Sequence, residues 1–175
     1  MGPSIICKIP RPCHIIDYCA YSDVSFGVGV GITIGEYWHA WRLLPGWKSQ
    51  GWEIGWAEAV RFELLIQTLL TASSLGENFK VFGDNRGVIK GWWKGRSRNK
   101  LTNEIFQRIN DLTSSYQCNV YTRYVPSKDN PADDPSQGIY PPSRYLLPAT
   151  QIPPNLQLFI VDFDVPPHQS ELVAS

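Results

Sequence analysis

The sequence predicts an α/β fold built on a mixed sheet, and three observations carry that expectation. Residues 16–43 divide into three short strand-like runs joined by brief links, the pattern of an antiparallel meander. The segment from Trp56 to Ser74 holds neither glycine nor proline and repeats its apolar residues at helical spacing. After it the chain alternates strand, helices and strand, so the later strands have the crossovers that parallel pairing requires. The expected order is three strands, helix, strand, two helices, strand, with an antiparallel half and a parallel half.

Residues 1–15, with Pro3, Pro10 and Pro12, read as a lead-in segment. Ile16 to Asp23 forms the first strand. In Ser25 to Thr33 apolar residues at 26, 28, 30 and 32 alternate with Gly27, Gly29 and Gly31, which marks a second strand with one packed face and one nearly bare. Asp23 is expected at the bend between them. Gly35 turns the chain into Glu36 to Leu43, a third, aromatic-rich strand. Pro45, Gly46 and Gly51 break the chain before the long helix, whose apolar face is Ala59, Phe62, Ile66, Leu69 and Leu70, widened by Leu64 and Leu65. Glu58 is expected in its first turn.

Phe79 to Gly83 is a short apolar strand that ends at Asp84, followed by a helix from about Asn85 to Trp93. A cationic stretch, 94–100, leads to an amphipathic helix from about Leu101 to Ser115 with Ile105, Phe106, Ile109 and Leu112 on one face. Cys118 to Val125 reads as the last core strand, and residues 127–138 leave room for a short helix. The domain is placed at 16–138. Residues 139–175 hold seven of the 14 prolines and read as a tail wrapped on the domain or partly disordered, with Leu156 to Val165 offering an additional strand.

With 175 residues, 43% of them hydrophobic, the chain can bury one sizeable core. Its 16 basic and 16 acidic side chains balance, so local patches rather than net charge decide whether a polyanion binds. Cys7, Cys13, Cys19 and Cys118 lack zinc-site spacing and are expected as free thiols. No secretory signal follows Met1 and no apolar run is long enough to span a bilayer, so an intracellular protein with no membrane partner is expected.

Four acids occupy comparable positions at strand ends or helix starts: Asp23, Glu58, Asp84 and Asp133. Each also has a local reading, as a turn residue, a helix-dipole complement or a cap. Together on one edge they would repel unless divalent cations lay between them, which points to two Mg²⁺ (or Mn²⁺) ions. Two ions roughly 3.5–4 Å apart serve phosphoryl-transfer chemistry. Arg86, Lys90, Lys94, Arg96, Arg98 and Lys100, interleaved with Trp92 and Trp93, form an acid-free stretch suited to phosphates and base or sugar faces.

Taken together, Tyr21-Ser-Asp-Val-Ser25 with the following Gly-Val repeats, Ile54 to Val60, Val81 to Val88 with Gly91 to Lys100, and Asn130-Pro-Ala-Asp-Asp-Pro-Ser136 resemble the ribonuclease H domain of reverse-transcriptase retroelements, particularly the fungal kind. The resemblance spans about residues 16–140. It implies a ribonuclease H-like fold, a five-stranded sheet (three antiparallel strands, then two parallel) with helices on both faces. It also implies Mg²⁺-dependent cleavage of the RNA strand of RNA/DNA hybrids, leaving 5′-phosphate and 3′-hydroxyl ends.

By the same resemblance Asp23 would bridge both ions, Asp133 rather than Asp134 would hold the nucleophile side, and Glu58 and Asp84 the leaving-group side. The basic stretch 86–100 would match the family's substrate-binding protrusion, and a reverse transcriptase domain encoded elsewhere would be the partner. The chain departs from many cellular members in its loop 125–130, which has no histidine, so slower turnover is expected. Two alternatives remain: a catalytically silent nucleic-acid-binding remnant of a retroelement, and a transposase-type nuclease. The latter would commonly end its acidic set with a helical glutamate, which is absent here.

Overall fold

A computed structural model describes residues 14–47, 54–84 and 100–166. The helix expected at 85–93 and the cationic positions Arg86, Lys90, Trp92, Trp93, Lys94, Arg96 and Arg98 lie outside the described residues.

The fold is α/β, with a mixed open sheet in the order β5-β4-β1-β2-β3-β6. Strands β1 (Ile15–Ser25), β2 (Gly29–Ile34) and β3 (Tyr37–Leu43) form the antiparallel meander. Strands β4 (Asn78–Gly83) and β5 (Asn119–Tyr124) extend it in parallel on the β1 side. The sixth strand, β6 (Ile160–Asp162), pairs antiparallel with β3 and corrects the expected count of five. Its cause is the free edge of β3, whose unpaired backbone groups are satisfied by the tail. Leu147 N–H donates to Trp38 O (2.8 Å), Phe163 N–H to Ala40 O (3.2 Å), and Leu44 N–H to Phe159 O (2.8 Å).

Helix α1 (Ile54–Ala72) is buried at every position from Trp56 to Ile66, because it lies between the sheet and helix α2 (Lys100–Ser115). Its core partners include Val30 and Ile32 of β2, Phe79 and Val81 of β4, and Ile105, Phe106 and Ile109 of α2. A burial this complete leaves no solvent for α1's charged side chains, so each requires an internal partner. Glu63 takes Arg108 of α2 in a two-pronged pair at 2.7 Å on both oxygens. The opposite face of β2 carries Gly31, and there the short helix α3 (Asp133–Ser136) docks. A side chain at Gly31 would meet Ser136 N at 2.5 Å and Ala132 O at 2.7 Å. The nearly bare face expected of this strand thus receives the chain's own α3 at Gly31.

Two boundaries differ from expectation. β1 continues through Asp23 to Ser25 and the bend falls at Phe26–Val28, so Asp23 is a strand residue opposite Gly31 rather than a bend residue. Helix α1 starts at Ile54, which places Glu58 in its second turn. Earlier in β1 a bulge advances the strand from Asp17 to Tyr21 while β4 advances only from Lys80 to Phe82. Cys19, at φ 54°, sits in it with its N–H on Asp17 Oδ1. Cys19 and Cys118 are free thiols. No helix among the described residues is long and apolar enough to cross a membrane.

Candidate active site

The site forms where β1, β4 and β5, parallel to one another, end on one edge of the sheet, the edge where α/β folds commonly gather functional groups. Asp84 follows the last residue of β4. Asp23 lies near the end of β1, 4% exposed. Asp133 opens α3, reached from β5 by residues 125–132. Asp84 and Asp133 both act on the Asp23 carboxyl and raise it, Asp84 the more strongly, so the three acids lie near one another. Asp134, the neighbour of Asp133, is exposed.

The ladder between β1 and β4 ends at Tyr21 and Phe82, so the next β1 carbonyl, that of Ser22, needs another donor. Two side chains supply it. Arg61 Nη1 donates at 2.7 Å and Asn130 Nδ2 at 2.9 Å. Asn130 also accepts the Ala132 N–H on Oδ1 (3.0 Å), which ties the loop before Asp133 to the strand that carries Asp23. Ser136 then holds α3 in place, donating to Asp133 O at 2.7 Å and sharing a hydrogen bond with Ser25 Oγ.

Arg61 is the centre of the remaining contacts. It is fully buried, and its Nε lies 2.8 Å from Glu58 Oε2 while its Nη1 lies 3.1 Å from Asp84 Oδ1. Glu58 therefore reaches the cluster through Arg61. The Arg61 Nη2 atom is buried and has no hydrogen-bond partner among the described residues. The guanidinium fits only because residue 83 is glycine: a side chain there would meet Nη1 at 2.9 Å and Nη2 at 3.0 Å.

Burial, and next the Asp84 charge, push the Asp23 carboxyl up to about 7; the Val24 N–H on Oδ1 (2.8 Å) and Arg61 oppose the rise. Burial and the second carboxylate thus outweigh the guanidinium on the cluster's flank. Oxygen donors of this type suit hard divalent ions. Among the described residues, however, no group of three or more His, Cys, Asp or Glu side chains is drawn close enough to hold a metal ion as it stands. A cavity of about 640 Å³ lies toward the other end of α1, lined by Tyr18, Ile34, Gln67, Leu147 and Gln151 among others with no charged group. None of the four acids lines it.

Arg61, Ser22 and Asn130 were not singled out in the sequence. The signal for Arg61 was present as a charge three residues after Glu58 inside an otherwise apolar helix face, a spacing that pairs on a helix. Of the cationic stretch only Lys100, exposed at the start of α2, is described. No protein-family model matches the chain, and no curated protein matches it.

Proposed function

We propose that the chain is a metal-dependent endonuclease of the ribonuclease H type that hydrolyses the RNA strand of RNA/DNA hybrids. On this reading it derives from a retroelement, has a ribonuclease H-like fold, and works with a reverse transcriptase domain encoded elsewhere. The observation that carries the reading is the convergence of Asp23, Asp84 and Asp133 from three separate segments on one sheet edge. Their fit to the two Mg²⁺ or Mn²⁺ ions that the resemblance implies is uneven. Asp23, Asp84 and Asp133 offer the oxygen donors a hard cation takes, whereas the Glu58 side is already paired with Arg61.

Asp23, Asp84 and Asp133 would hold the ion. Once bound, it would supply a water made acidic enough to attack a phosphodiester and positive charge for the leaving oxygen. The chain's own contribution is positional: Asn130 and Arg61 fix the Ser22 carbonyl and with it the neighbouring Asp23, and Ser136 fixes the start of α3. Lys100, and in this proposal Arg86, Lys90, Trp92, Trp93, Lys94, Arg96 and Arg98, would grip the hybrid's backbone and bases.

End-labelled hybrid incubated with Mg²⁺ or Mn²⁺ should yield RNA fragments with 5′-phosphate ends, and Asp84→Asn should lower the rate at least 100-fold. Absence of wild-type cleavage at stoichiometric enzyme would sink the hydrolase reading. The second reading, a silent nucleic-acid-binding remnant, is favoured by one observation: Arg61 engages both Glu58 and Asp84. Salt-sensitive hybrid binding without cleavage would support it.

A further inference from the structure

The acids of this edge are not equivalent, because one flank of the cluster already holds a cation. The Arg61 guanidinium is completely buried, forms ion pairs with Glu58 Oε2 at 2.8 Å and Asp84 Oδ1 at 3.1 Å, and donates a hydrogen bond to the Ser22 carbonyl at 2.7 Å. Gly83 provides the space against which it lies. A guanidinium keeps its charge under all ordinary conditions, and its planar fork suits carboxylate partners.

We propose that Arg61 is a built-in cation that occupies the Glu58–Asp84 side of the cluster in place of a metal ion, so that the chain binds at most one divalent ion where the four acids would otherwise take two. This deepens the functional reading above and rests on its assignment of the acids. Glu58 and Asp84 cannot direct the same oxygens to a guanidinium and to a second divalent ion, and bringing an ion close to the guanidinium adds a repulsion that low local polarity makes severe. The buried Nη2, which has no partner among the described residues, lies in the same place, so the guanidinium also has donor capacity left for an anionic oxygen. Arg61 is a positioning residue here: it acts through Glu58, Asp84 and Ser22.

The test is the number of Mn²⁺ ions bound per chain, read by electron paramagnetic resonance and calorimetry on the full chain without nucleic acid. Wild type should bind no more than one. Arg61→Gln, which keeps a donor for the Ser22 carbonyl but removes the charge, should gain one ion per chain. Arg61→Lys should gain none, and adding Glu58→Gln to Arg61→Gln should abolish the gain. Two ions on wild type, or no gain in a folded Arg61→Gln, overturns the proposal. If Arg61→Gln does not fold, the wild-type count decides: two ions overturn it, one or none upholds it. Because the readout is binding, its failure is distinct from that of the hydrolase reading. A chain that cleaves hybrids with two ions bound keeps the function and loses this inference; a gain of one ion in an inactive chain does the reverse.

Discussion

Asp23 illustrates how far a single residue's chemistry depends on segments remote in sequence. Its carboxyl is pushed up to about 7 from an ordinary value of 3.8, first by burial and then by Asp84. A carboxyl with a raised folded-state pKa contributes stability that is fully present below its unfolded value and is lost as pH rises through the folded one. Without metal, therefore, wild type should lose on the order of a few kcal/mol relative to Asp23→Asn between about pH 4 and pH 8. Urea unfolding of both proteins in EDTA across that range would measure it. Parallel stability curves would refute the electrostatic account. That Asp23 and Asp84 each come late in a strand-like run was legible in the sequence, although Asp23 was expected at the bend and lies within β1. Its environment was not: whether a carboxyl is buried depends on which other segments cover it. Arg61 shows the same limit, because one arginine in an apolar helix reads equally well as a side chain reaching for solvent.

At the scale of elements, the approach of α1 to the end of β4 decides whether the site can form. Gly83 alternates inward with Phe79 and Val81, and the guanidinium of Arg61 and the ring of Phe62 fill the space a side chain would need. Withdrawal of the guanidinium is resisted by its ion pairs with Glu58 and Asp84 and its hydrogen bond to Ser22. Gly83→Ala should therefore cost about 1–3 kcal/mol, as overpacking usually does. In an Arg61→Gln background the cost should shrink, giving a coupling energy of about 1 kcal/mol or more in a double-mutant cycle. Additive effects measured by denaturant unfolding would show that Phe62 or the backbone, rather than Arg61, sets the fit. Local patterns made both elements visible in advance, β4 as a short apolar run and α1 as a Gly- and Pro-free run with helical spacing. The bulge at Cys19 was invisible, because a positive φ at a non-glycine residue leaves no mark in composition. The start of α1 was misplaced by two residues, which moved Glu58 from the first turn to the second.

For the whole molecule, the tail belongs to the sheet's energetics although its sequence reads as proline-rich wrapping. Its strand is only three residues long, Ile160–Asp162, and its partner β3 lies more than a hundred residues earlier, so no local pattern announces the pairing. The contacts around β3 are nevertheless specific. His39, 3% exposed, has one ring nitrogen 3.0 Å from Leu147 O and the other 3.0 Å from Asp162 Oδ1. Trp38 stacks on Tyr140 at 5.5 Å and bonds Pro142 O through Nε1, and Leu156 and Ile160 join the core. Ending the chain after Gly138 would remove the sixth strand, uncover the β3 edge and leave both His39 nitrogens without their partners. Burying Leu156 and Ile160 contributes roughly 1.5–3 kcal/mol each, and each lost hydrogen bond about 1 kcal/mol. The shortened chain should thus lose at least about 4 kcal/mol, comparable to the whole stability of many domains, and self-associate through β3. Size-exclusion chromatography and urea unfolding would test this, and a monomeric, equally stable 1–138 fragment would show that the fold closes without its tail. Asp23, Asp84 and Asp133 stand on β1, just after β4 and on α3, away from that edge, and α3 docks on Gly31 of β2, next to β3. Loosening β3 should therefore reach the site through α3, so in Asp162→Asn any loss of hybrid cleavage should track the loss of stability.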